Sequence, residues 1–449
     1  MRLRAPLAVL VPFLFVATVI APQVARATDT PTTDPAPGWV GERVVNPVTD
    51  DWEPAVAADP NSPYVYIITT RFGQPKPCPN HCPTPWMALT VSSNGGKTWS
   101  DDTVLCPCHG SKAQYDPVIE VVPDTGDVYA MFLNGDRAGG LSAVFIKSSN
   151  HGQTWTAPVH VYGRGRWTDK PEVTMSPDGS DVYASWNGVT KGDLWIGVSH
   201  DAGETWTQTR VVRSIRYFFA YDAKMLPDGT VLFSESSFNY TGPAQTGVGK
   251  VWHHAIISRN EGRTWENVIV GKVEIGPTCA SAGCYADFHT GQTSISTDDF
   301  GHLVFAYEGA TTPYAPQHVY VKTSADEGRT WSRRTALSTN GQDAGQPRIA
   351  ATGNGDERLW YMQTSDGGIG LSWNVWYRSS TDGGLTWSDP VKISDAPAGA
   401  ASYITADGFG EVYGDYGEIA ITNRGKTIGV WGEAPSYNGP GGTWFKIQS

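Results

Sequence analysis

Long apolar runs are missing from this chain except at its start. Leu7–Ile20 is the one exception, and it falls short of the ~20 apolar residues that a membrane span needs. Arg2 and Arg4 precede it and Ala25-Arg26-Ala27 follows, so residues 1–27 read as a secretory signal cleaved after Ala27. The expected protein is secreted and extracellular, with no membrane attachment after cleavage. Basic residues are scarce, with 33 Lys and Arg against 45 Asp and Glu and a formal charge of −12. Removing the signal, which carries Arg2, Arg4 and Arg26, makes the balance more acidic still. That excludes nucleic acid and anionic membranes as partners. It leaves room for a small anionic ligand held by a few local arginines. Helical periodicity is nearly absent. So are a phosphate-cradling glycine loop, a dinucleotide fingerprint, a Ser-His-Asp elbow and a His-Glu-x-x-His motif.

Cysteine is also sparse. The six are Cys78, Cys82, Cys106, Cys108, Cys279 and Cys284. An even count in an exported chain favours disulfides over a zinc site built from Cys78, Cys82, Cys106 and Cys108. Two crosslinks between the 78–82 and 106–108 segments are expected, with the pairing open. Cys279 and Cys284 would staple a loop before His289. No metal or cofactor is expected, apart from structural calcium at acidic loops such as Asp407–Glu411.

What the chain does have is repetition. Ser-x-Asp/Asn-x-Gly-x-Thr-Trp recurs at Ser92–Trp99, Ser148–Trp155, Ser199–Trp206, Ser258–Trp265, Ser324–Trp331 and Ser380–Trp387, with a degenerate remnant at Gly441–Trp444. The Asp or Asn closes an Asx-type turn, the glycine supplies a positive φ, and the tryptophan packs inward. These residues are structural. A second repeat (polar, Pro or small, any, aliphatic) runs in step at Glu53–Val56, Asp116–Ile119, Lys170–Val173, Asp222–Met225, Gln292–Ile295, Gln346–Ile349 and Tyr416–Ile419. Four β-rich runs per unit of this size are propeller blades. Seven inner motifs predict an all-β, seven-bladed propeller, six blades being the alternative. Thr28–Gly38 reads as a disordered leader and 39–449 as one domain. The last unit lacks a fourth strand, and Trp39–Val45 is an orphan that can close it.

The six intact repeats resemble those of the Asp-box, or bacterial neuraminidase repeat, superfamily, whose best-known members are sialidases. The resemblance covers Trp39 to the C-terminus and implies a sialidase-like propeller. In such a ring the repeat turns share one face, and the longer loops gather on the other with the starts of the inner strands. That second face is the expected working face, with a monomer as the expected state.

A sialidase-like mechanism implies three arginines on a carboxylate, a tyrosine nucleophile with a glutamate partner, and an aspartic acid/base. By position in the blades, Arg166, Arg216 and Arg348 could form the arginine set. Tyr416 or Tyr221 could be the nucleophile, with Glu418 or Glu433 as partner. Asp116, Asp169 or Asp222 could be the acid, and Gln346 lies on the same ring. The chain departs from the family where blade 1 reads Trp52-Glu53-Pro54-Ala55-Val56, without the arginine of the sialidase Arg-Ile-Pro signature. The leading expectation is an exo-acting glycosidase on an acidic sugar. A uronate-glycan lyase is the alternative, with His289 and Tyr221 or Tyr285 as bases and Lys170 or Arg166 neutralising the carboxylate. A non-catalytic propeller that binds glycan or protein is the third.

Overall fold

The computed structural model describes residues 36–47, 50–72, 83–106, 113–136, 140–161, 169–188, 192–241, 246–277, 291–364, 372–395, 400–401, 417–433 and 442–449. These residues form seven antiparallel sheets and no helix. The inner strands of blades 1 to 7 are Asp50–Ala58, Ala113–Val121, Asp169–Met175, Tyr217–Met225, Thr293–Thr297, Ala344–Thr352 and Gly417–Ile421. Each packs against the next, and the seventh packs against the first. The chain is a closed seven-bladed β-propeller.

Closure comes from the N-terminal segment. Arg43–Val44 is the outer strand of blade 7, pairing Arg43 with Phe445 and Val44 with Trp444. Trp39 extends the pairing by a bridge to Gln448. Its indole meets Tyr377 of blade 6 edge-on at 5.0 Å. Val45 is buried beside Trp99, Val430 and Phe445. The closing strand covers the edge of Gly442–Ile447, which would otherwise be open to pairing with another chain.

The repeated turn explains its own sequence. In all six copies the serine hydroxyl accepts the glycine N–H. In all six, the Asp or Asn oxygen accepts the threonine N–H. Threonine hydroxyl and amide donors pull the Asp201 and Asp326 carboxyls down to about 2. These carboxylates are engaged in the turn, as their structural assignment requires. The glycine is needed for contact as well as for turning. Gly203 has φ 82°, and a Cβ there would collide with the Phe145 ring of the preceding blade. Trp206 meets the same ring edge-on at 5.5 Å. Each turn therefore fastens a blade to its neighbour.

Candidate active site at the channel mouth

The inner strands begin on the face opposite the repeated turns. Four of them open with X-Pro, and in each the residue before proline has a positive φ: Glu53 (52°), Asp116 (52°), Lys170 (52°) and Gln346 (50°). A pre-proline residue ordinarily lies in the extended region. Here the strand register shifts at each of these positions, so each is a bulge. Bulges re-aim side chains, and these aim from one blade to the next. The Glu53 carboxylate accepts the Asp116 N–H at 2.8 Å and the Thr70 hydroxyl at 2.5 Å. The Asp116 carboxylate accepts the Lys170 N–H at 3.3 Å. Glu308 does the same between blades 5 and 6, accepting Gln292 N–H at 3.2 Å and Gln346 N–H at 2.6 Å.

Below this mouth the lumen narrows. Glu120, Glu172, Asp222, Arg348 and Glu418, together with the bulge residues Asp116 and Tyr221, line a cavity of about 30 Å³, enough for a water molecule or two and far too small for a sugar ring. Arg348 is buried and donates to Gly417 O, to Thr293 O (3.3 Å), to Pro347 O (3.0 Å) and to Gln292 Oε1 (3.0 Å). Asp222 pairs with Lys224 at 2.7 Å and accepts the Ser294 hydroxyl and Ile295 N–H at 2.7 and 3.0 Å. Burial raises the Glu418 carboxyl to about 7, with Asp222 adding to the rise and Arg348 opposing it.

Several sequence expectations are corrected by this geometry. Arg348 belongs to the lumen framework, with its donors on backbone carbonyls and an amide. Arg216 points elsewhere. It donates to Ser237 Oγ (3.1 Å) and Ser237 O (2.6 Å), and its guanidinium stacks 4.7 Å over Trp252. These two arginines share no pocket among the described residues. Glu418 and Asp222 sit in a space that no sugar enters, and Asp222 lies deeper than the motif alignment placed it. In blade 4 the bulge is at Tyr221, so Asp222 takes the level of Glu172 and Arg348. Glu433 accepts the Trp431 indole N–H at 3.0 Å and neighbours Glu42 beside the closing strand. Asp169 stays at the mouth, its carboxylate accepting the Lys170 N–H at 3.1 Å. Lys170, Tyr221, Asp116 and Gln346 lie at the strand bulges and are all buried, with Asp116 and Tyr221 lining the small cavity and Tyr221 also packed in the core between blades 4 and 5. Tyr416, His289, Arg166, Asp407–Glu411 and the cysteines other than Cys106 lie outside the described residues. Cys106 is buried and disulfide-bonded.

The structure adds residues that the sequence reading passed over. Among the described residues, both polar atoms of the buried Gln346 amide lack a hydrogen-bond partner, as do Ser236 Oγ and His253 Nδ1. His253 Nε2 meets Glu308 O at 3.0 Å, and burial lowers the imidazole to about 3, so it is neutral at ordinary pH. Unpaired buried polar groups mark places where water or a ligand completes the set.

The buried acids have a measurable consequence. Burial lifts Glu308 and Glu357 to about 8 and Glu120 and Asp343 to about 7. Each folded-state value lies above its unfolded one, so each contribution is complete below about pH 4.5 and is lost as pH rises through 7–8. Stability should therefore fall from pH 5 to pH 8. Glu357→Gln keeps an oxygen for the Ser296 hydroxyl, which Glu357 accepts now. Its stability relative to wild type should rise by about 3–4 kcal/mol from pH 5 to pH 8, read from urea midpoints.

No protein-family model matches the chain. A sialidase from Micromonospora viridifaciens is 25% identical over 135 residues, which is 28% of this chain and 20% of that protein. The match thus spans about a fifth of the sialidase's length. A solved structure of a protein of unknown function from Dyadobacter fermentans superposes with a TM-score of 0.51 at 14% identity, covering 92% of this chain and 99% of that one. An ulvan lyase of polysaccharide lyase family 25 superposes with a TM-score of 0.55 at 12% identity, covering 89% and 95%. At these identities the likeness is one of fold alone, a propeller architecture shared with those two structures.

Proposed function

We propose that this chain is a secreted glycan-active enzyme that cleaves an acidic polysaccharide by β-elimination at the channel mouth. The observation that carries the reading is the placement of Lys170 and Tyr221 at the bulges of neighbouring inner strands, blades 3 and 4. A uronate chain laid across the mouth would set its carboxylate against the Lys170 ammonium. The cation offsets the charge that develops when C5 loses its proton. Tyr221 takes that proton as base, with His289 as the other candidate from the sequence. The C5–H bond breaks, the C4–O bond breaks, a C4=C5 double bond forms, and the departing oxygen receives a proton. The likeness to the ulvan lyase supports the reading as an analogy of fold only.

The runner-up is hydrolysis of a sialoside. It needs a carboxylate-binding arginine set, and Arg216 and Arg348 are committed to other partners in separate places. The deciding experiment incubates the protein with uronate polymers and, in parallel, with a fluorogenic sialoside. Growth of ultraviolet absorbance from unsaturated uronate is the expected result. Tyr221→Phe should lower kcat about 100-fold or more while leaving the urea midpoint unchanged. Release of fluorophore with no unsaturated product would replace elimination with hydrolysis.

A further inference from the structure

A second site lies on the side wall of the ring, between the outer strand of blade 4 (Glu266–Glu274) and blade 5. Here Lys272, Lys322, Arg333 and Arg334 surround an open pocket of about 530 Å³, with Tyr307 and Ile269 completing it. Four cations and no carboxylate in one pocket is unexpected in a chain of formal charge −12. Among the described residues none of the four has an ion-pair partner. Like charges held together without counter-charge repel one another. Burial holds the Lys322 ammonium below its usual range, and the neighbouring Arg334 adds to that shift.

Three of these cations are also held in place. Lys322 Nζ donates to Val270 O at 2.8 Å, Lys272 Nζ sits 4.4 Å over the Trp252 ring, and Arg334 stacks 4.4 Å over Tyr320. Cations fixed on aromatic faces and a carbonyl keep their remaining donors pointing outward at small entropic cost. The pocket falls within the ~300–1,000 Å³ range of ligand sites, larger than one oxoanion requires. The surrounding rings are covered, Tyr307 and Tyr320 being buried, so bases have no exposed stacking platform.

We propose that this groove binds a sulfated or carboxylated polysaccharide segment away from the channel mouth, with two or more anionic groups bridging Lys272, Lys322 and Arg334. It is independent of the cleavage chemistry proposed for the mouth.

The test is affinity electrophoresis of the full chain in gels containing dextran sulfate, which offers no uronate to the mouth. Wild type should be retarded by dextran sulfate and not by neutral dextran, with retardation fading as salt rises. Lys272→Glu combined with Arg334→Glu should weaken binding at least about tenfold, with an unchanged thermal midpoint. Arg263→Glu, on an exposed repeat turn, should change it less than twofold. Equal retardation of the double variant and wild type would overturn the site. Inorganic sulfate binding as tightly as the polymer would reduce it to a single-anion site and overturn the proposal. Single-stranded DNA binding as tightly as dextran sulfate would overturn the assignment to a polysaccharide.

Discussion

Arg348→Met is expected to cost about 3–5 kcal/mol of folding free energy, the usual cost of removing one member of a buried charged network. The variant strips a donor from Gly417 O, Thr293 O and Gln292 Oε1 and leaves Glu172 and Glu418 without their main counter-charge. The loss should grow above pH 7, where Glu418 ionises. Adding Glu418→Gln should recover part of it, because the two groups interact and their effects are not additive. Urea unfolding of the single and double variants at pH 6 and 8 checks both statements. A substrate-binding arginine would behave differently, with a wild-type midpoint and a raised KM.

Removing the closing strand should have an effect at least as large. A chain that begins after Asn46 loses Trp39 and Val45 from two hydrophobic clusters. It also loses Glu42, whose carboxylate accepts Asp395 N–H at 2.7 Å and whose N–H donates to Asp395 Oδ2 at 2.9 Å. Asp395 in turn neutralises the fully buried Lys446. Trp39 alone buries ~150–250 Å², worth about 4–6 kcal/mol. That is a large part of the ~5–15 kcal/mol that holds a typical fold. The expected result is a chain that no longer unfolds in one cooperative transition at 25 °C. Adding residues 36–46 back as a separate peptide should restore the transition, since the strand binds by backbone pairing to Gly442–Ile447.

The ring was legible because its joints are local. Serine, Asp or Asn, glycine, threonine and tryptophan at fixed offsets are each required by a hydrogen bond or contact within eight residues. Blade number followed from counting the seven inner-strand motifs that run in step with those turns, and closure followed from one missing strand. The site was only partly legible. Asp222-Ala223-Lys224-Met225 fits the inner-strand pattern, whereas Ala220-Tyr221-Asp222-Ala223, which occupies the bulge, does not. The sequence therefore set Asp222 at the mouth, while the bulge at Tyr221 sets it in the lumen. Arg348 looked available because its partners, Thr293 and Gly417, come from two other blades. Glu308, Ser236 and His253 lie on second and third strands, and nothing in their local pattern marks them. The four X-Pro bulges did leave a signal in Glu53-Pro54, Asp116-Pro117, Lys170-Pro171 and Gln346-Pro347.

The division between a working mouth and a structural lumen is tested most directly by measuring uronate-polymer turnover per folded molecule for Tyr221→Phe and Arg348→Met side by side. The account predicts that Tyr221→Phe folds as wild type and scarcely turns over, while Arg348→Met is destabilised but retains near-wild-type turnover in its folded fraction. An Arg348→Met protein of normal stability and no activity, or a Tyr221→Phe protein of full activity, would contradict it.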